Sequence, residues 1–166
     1  MQVVGVDGCP GGWIAVACDL ESGELFPRIH LTFQDVLDTY QSAKAITIDI
    51  PIGLVRNSAR ACDKQARQAL QWRRSSVFPA PDPQLLDVTP YERANATSWN
   101  LIGKGLSVFA FGTIPKVAEV NRLMSPDLQD RVFEVHPELC FWAMAGERPM
   151  TFPKKTPEGY DERRAL

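Results

Sequence analysis

Hydrophobic residues at the start of the chain come in short, dense runs broken by glycine and proline. Val3, Val4 and Val6 are β-branched and closely spaced, as in a strand buried in a sheet, and Asp7 stands where the run ends. Gly8, Pro10, Gly11 and Gly12 make a turn, and residues 13–18 read as a strand returning beside the first. After a second turn at Glu21-Ser22-Gly23-Glu24, residues 25–31 read as a third strand, so the opening is an antiparallel meander. Thr32 suits the N-cap of a helix over 33–42, with Val36, Leu37 and Tyr40 on one face. Residues 45–50 are apolar at nearly every position, as in a central parallel strand, and Asp49 interrupts them before Pro51 and Gly53 end the run.

Further along, the pattern turns helical. A helix is expected over 58–74, followed by a rigid loop through Pro79, Pro81 and Pro83. Another is expected over 89–100, with Pro90 at its first position. Gly103, Gly105 and Gly112 mark a flexible stretch, and Pro115 opens a helix running to about Met124. Residues 131–136 read as a last strand, 137–145 as a short helix stopped by Gly146, and the tail as a helix beginning at Glu158 or Gly159. Three strands, a helix, a strand, helices, a strand and a helix, joined by right-handed crossovers, give a mixed five-stranded sheet with helices on both faces. This is the ribonuclease H-like order, in which the first and fourth strands are central neighbours and Asp7 lies beside Asp49.

Bulk composition narrows the class. At 166 residues, 45% hydrophobic and 23% charged, the chain suits one globular domain. No apolar run has the length of a membrane span, and no basic segment precedes an apolar one, so no membrane partner and a cytoplasmic location are expected. The net charge of −2 argues against coating nucleic acid by bulk charge, but not against a local basic groove. Cys9, Cys18, Cys62 and Cys140 show no Cys-x-x-Cys spacing, which argues against zinc and a disulfide framework and for reduced thiols.

Several motifs recur together: Val6-Asp7-Gly8-Cys9 with Gly11-Gly12-Trp13; Ile48-Asp49-Ile50-Pro51-Ile52-Gly53-Leu54; Arg60 with Cys62-Asp63, Ala66 and Arg67; and Arg74 through Pro81. Pro115-Lys116, Glu119-Val120, Glu134 through Glu138, Phe141-Trp142, Lys154-Lys155-Thr156, Gly159 and Glu162-Arg163 continue them. In this set the chain resembles the domain-of-unknown-function family 429, whose members are described as predicted nucleases of ribonuclease H-like fold. Relatives continue past Leu166 with a further helix carrying an Asp-rich stretch, and ribonuclease H-like enzymes usually draw one metal-binding carboxylate from such a helix. A single domain over 1–166 is expected, and three alternatives stay open for the missing carboxylate: a protein short by nature, a chain truncated at its C-terminal helix, or another carboxylate in its place.

The candidate chemistry centres on Asp7 and Asp49. Two neighbouring carboxylates repel unless a proton or cation lies between them. Oxygen donors suit Mg²⁺ or Mn²⁺, and such ions activate a water and stabilise a leaving oxygen in phosphodiester hydrolysis. An aspartate before glycine also suits a plain turn, but Asp49 inside an apolar run is costly unless paired. Glu134 and His136 share a strand face, and Glu119 competes with Glu134 as the third metal carboxylate. His136 is a candidate for proton transfer, against a plain hydrogen-bonded strand end. Arg56, Arg60, Lys64, Arg67 and Arg74 fall within one helical arc, with Asp63 placed to pair Arg67. A phosphate surface of Arg60, Arg67, Arg74, Ser75, Ser76 and Lys116 is the functional reading, and a solvated helix face the plain one. The expectation is a metal-dependent hydrolase, a nuclease or phosphodiesterase acting on nucleic acid. A nucleotide-binding or phosphoryl-transfer protein of actin or sugar-kinase type, and a non-catalytic nucleic-acid-binding module, are the alternatives.

Overall fold

The opening valines and the returning run pair as expected, but the first strand runs past Asp7 to Cys9, with Gly8 opposite Trp13 in the ladder, so only Pro10 and Gly11 form the turn. In the computed structural model, which describes residues 1–166, β1 (Gln2–Cys9), β2 (Gly12–Asp19) and β3 (Leu25–His30) form an antiparallel meander. The chain continues through α1 (Phe33–Thr39), β4 (Ala45–Ile48), α2 (Ala61–Ala69), two 3₁₀ turns (Gln71–Ser76 and Pro83–Leu85) and α3 (Tyr91–Ile102). It closes with α4 (Val108–Leu123), α5 (Pro126–Gln129), β5 (Val132–Glu134), α6 (Pro137–Met144) and α7 (Pro157–Arg164). The sheet order is β3-β2-β1-β4-β5, with β4 parallel to both β1 and β5.

Two compact units divide the chain. The first is Met1–Arg56 with Pro81–Val135 and contains the whole sheet. Alternation along its strands sends Val4, Val6, Trp13, Ala15, Ala17, Ile46, Ile48 and Val132 to one face. There they form one core with Phe33, Val36 and Leu37 of α1 and Val117 and Val120 of α4. Thr32 caps α1 in a full capping box with Asp35. On the other face Ile14 and Ile29 are paired across β2 and β3, and both are exposed.

The second unit is Asn57–Ala80 with His136–Leu166. Its few buried apolar side chains include Leu70, Val77 and Met150, and polar links do much of the joining. Glu138, buried in the first turn of α6, takes two hydrogen bonds from Arg163 Nη2 at 2.8 and 3.0 Å and faces Arg73 Nε at 3.4 Å. Arg73 and Arg163 both donate to the Phe152 carbonyl, and Glu162 accepts the Thr151 and Phe152 amides at 2.7 and 3.0 Å. Burial pushes the Glu162 carboxyl up, but those backbone bonds and the neighbouring Arg163 outweigh it and hold the group below its ordinary value.

Several expected boundaries shift. The helix expected over 58–74 is α2 followed by a 3₁₀ turn, because Gln71 adopts φ 46° and breaks the α-ladder. The stretch around Gly112, expected to be flexible, is the opening of α4. Ser107 caps that helix by accepting the Ala110 amide, and Pro115 lies inside it rather than at its start. Pro90 is the N-cap of α3, and Gly103, in the left-handed region at φ 64°, terminates it. The strand of β4 ends at Ile48, so Asp49 lies just past it, and His136 is the N-cap of α6 rather than a strand residue.

Candidate functional site

Register sets the two aspartates at matching positions where the β1–β4 pairing ends, two residues before the end of β1. Val6 pairs with Ile48 across the parallel ladder, and the Asp49 amide donates to the Val6 carbonyl at 3.3 Å. Asp7 and Asp49 therefore hold the next matching positions, one step beyond the buried Val6–Ile48 pair. Asp7 is exposed. Its Oδ1 accepts the Gly8 amide at 2.7 Å, while Oδ2 takes no hydrogen bond. Open sheets with parallel strands bind ligands outside the carboxyl ends of those strands.

The two candidate third carboxylates have other attachments. Glu134 pairs in register with Ile48, so the pleat puts it in the Val6–Ile48 row rather than the Asp7–Asp49 row. Its Oε2 accepts the Ile52 amide at 2.8 Å and ties the segment after Asp49 to β5. Glu119, on α4, accepts Trp13 Nε1 at 3.1 Å through Oε2 and the Phe33 amide at 2.5 Å through Oε1. It thus joins the start of β2 to the first residue of α1.

Lys116 lies one helical turn before Glu119. Its ammonium donates to the Gly12 carbonyl at 2.5 Å and sits 4.4 Å from the centre of the Trp13 ring. Trp13 is fully buried and also packs on Phe33, with ring centres 5.4 Å apart. Gly12 is glycine because a Cβ there would overlap the His30 carbonyl. The hairpin tip after Asp7 is therefore held from outside by α4.

No group of three or more His, Cys, Asp or Glu side chains stands in a metal-holding arrangement. A divalent ion of the magnesium type is commonly bound by one or two carboxylates, with water and substrate phosphate filling the remaining positions. An all-oxygen pair with one unengaged Asp7 oxygen fits that donor set, and it leaves coordination positions for a substrate.

In the second unit the expected phosphate surface divides. Arg60 is buried and forks onto Asp63, with Nε–Oδ2 at 3.1 Å and Nη2–Oδ1 at 2.5 Å. Asp63 thus pairs with Arg60 rather than with Arg67, and it also accepts the Ala80 amide. Arg67 donates to the Val77 carbonyl at 2.7 Å. Arg74 and Ser75 are exposed, and Ser76 is half-buried. His136 Nε2 is 2.9 Å from the Ser76 carbonyl, and its buried Nδ1 has no hydrogen-bond partner.

Sequence reasoning missed the ties made by Glu119, Lys116 and Glu138. The proline opening α6 flags Glu138 as a first-turn acid. Nothing local flags Glu119, whose partners lie 86 and 106 residues away.

An α/β chain with a mixed five-stranded sheet and an acidic pair where the pairing of two central parallel strands ends is the class these features define. Residues 5–166 match the family described as "Protein of unknown function (DUF429)", and the chain belongs to that family. No curated protein and no solved structure matches it.

Proposed function

We propose that the protein is a metal-dependent phosphodiesterase acting on nucleic acid or a nucleotide, with Asp7 and Asp49 as the metal-holding pair. The observation that supports this reading is the parallel register of β1 and β4, which puts Asp7 and Asp49 at matching positions one step beyond the Val6–Ile48 pair. A bound Mg²⁺ or Mn²⁺ would supply an acidified water and charge stabilisation at the leaving oxygen. The chain's own part is to present the carboxylates. Gly8 orients Asp7 through its amide, and Glu134 fixes the 49–52 segment through Ile52. Glu134 and Glu119 therefore act by holding backbone and indole groups that shape the site.

Incubation with single-stranded, duplex, hybrid and branched nucleic acids, and with mononucleotides, each with Mn²⁺, tests the reading. Cleavage of one class that falls at least about 100-fold in Asp7→Asn and in Asp49→Asn supports it. Cleavage that survives Asp7→Asn sinks it.

A further inference from the structure

We propose that Lys116 is a positioning residue for the acidic pair: it braces the tip of the β1–β2 hairpin, from Gly8 to Gly12, and thereby sets the direction of the Asp7 carboxylate. The inference rests on the metal-site reading above and assigns Lys116 a different task from gripping phosphate. One side chain reaches both ends of this tip. At the near end the stem of Lys116 runs against Gly8, where an added Cβ would come within 3.0 Å of Cδ and 3.3 Å of Cε. At the far end the ammonium is engaged by the Gly12 carbonyl and the face of Trp13.

The link to Asp7 runs through one peptide. The Gly8 amide donates to Asp7 Oδ1 at 2.7 Å, so the position of the Gly8 peptide decides where Oδ1 lies and which way Oδ2 faces. The helix carrying the brace is fixed in turn. Val117 and Val120 are buried in the sheet core, and Glu119 holds the indole of Trp13. Lys116 and Glu119, three apart on one helix, hold Gly12 and Trp13, the first residues of β2, from a single support.

Charge and position make opposite predictions, which gives the test its sign. A lysine acting only as a nearby positive charge would repel a bound cation, so removing the charge would tighten Mn²⁺ binding. A lysine acting as a brace would, when removed, loosen Asp7 and weaken Mn²⁺ binding. Lys116→Met keeps most of the stem and deletes the ammonium, and Lys116→Arg keeps the charge. Gly8→Ala pushes the stem aside without touching the charge, and it carries the same test if Lys116→Met fails to fold. Two readouts apply to the full chain: the NMR resonance of the Gly8 amide without metal, and Mn²⁺ affinity by titration.

The expected result is a displaced Gly8 amide in Lys116→Met and about tenfold weaker Mn²⁺ binding in both Lys116→Met and Gly8→Ala, with Lys116→Arg restoring most of both. An unmoved Gly8 amide in folded Lys116→Met, or tighter Mn²⁺ binding, overturns the proposal. Wild-type protein that binds no Mn²⁺ would remove the metal reading, and the Gly8 amide would still decide the brace.

Discussion

At the scale of single residues, the chain spends its carboxylates in two ways. Asp7 keeps one oxygen unengaged near the end of β1, whereas Glu119 commits both oxygens to protein donors. Glu119→Ala leaves the Trp13 indole and the Phe33 amide without an acceptor, and each orphaned donor costs about 1–3 kcal/mol. Urea denaturation of Glu119→Ala should therefore show a loss of a few kcal/mol against wild type, and an unchanged midpoint would contradict this role. His30 offers a pH test. Burial, aided by Arg28 and partly opposed by Asp35, holds its imidazole below the ordinary 6.5. The folded state then binds a proton less readily than the unfolded chain, so this contribution is complete above pH 6.5 and erodes as pH falls from there through the depressed folded value. The stability gap between wild type and His30→Gln should narrow from pH 7.5 to pH 5, and a constant gap would contradict the assignment.

At the scale of elements, caps and breaks decide what periodicity leaves open. Ser107→Ala should destabilise the protein by about 1 kcal/mol, because Ser107 caps α4 in a stretch where glycine spacing suggests no helix. An unchanged thermal midpoint would show that the helix starts elsewhere. The strands and the adjacency of Asp7 and Asp49 were legible in the sequence, because β-branched runs and their order restrict the pairings available. The break at Gln71 was not, since it depends on a backbone conformation that a glutamine gives no hint of. The basic arc misled for a related reason. Helical spacing placed Arg60 and Arg67 correctly on one side, but their guanidinium groups are drawn inward, Arg60 to the Asp63 carboxylate and Arg67 to the Val77 carbonyl. Long-range ties such as Trp13–Glu119 leave no local trace, so the supports of Trp13 and Phe33 could not be read from the sequence.

At the scale of the whole molecule, the two units are stabilised differently. The first is a sheet with an apolar core, and the second leans on the buried Glu138–Arg163–Arg73 cluster. Glu138→Gln removes the counter-charge of Arg73 and the nearer of the two carboxylates beside Arg163, which keeps Glu162 at 4.0 Å; breaking a buried pair in this way typically costs about 3–5 kcal/mol. Hydrogen exchange should accelerate across 57–80 and 136–166 while the strands stay protected, and uniform acceleration would contradict this division. The central claim concerns the first unit alone: Asp7 and Asp49 share a divalent ion. An anomalous-difference map from crystals of the full chain soaked in Mn²⁺ tests it most directly. The account predicts a peak within coordination distance of both carboxylates that disappears in Asp7→Asn. A Mn²⁺ peak elsewhere, with none between Asp7 and Asp49, would contradict it.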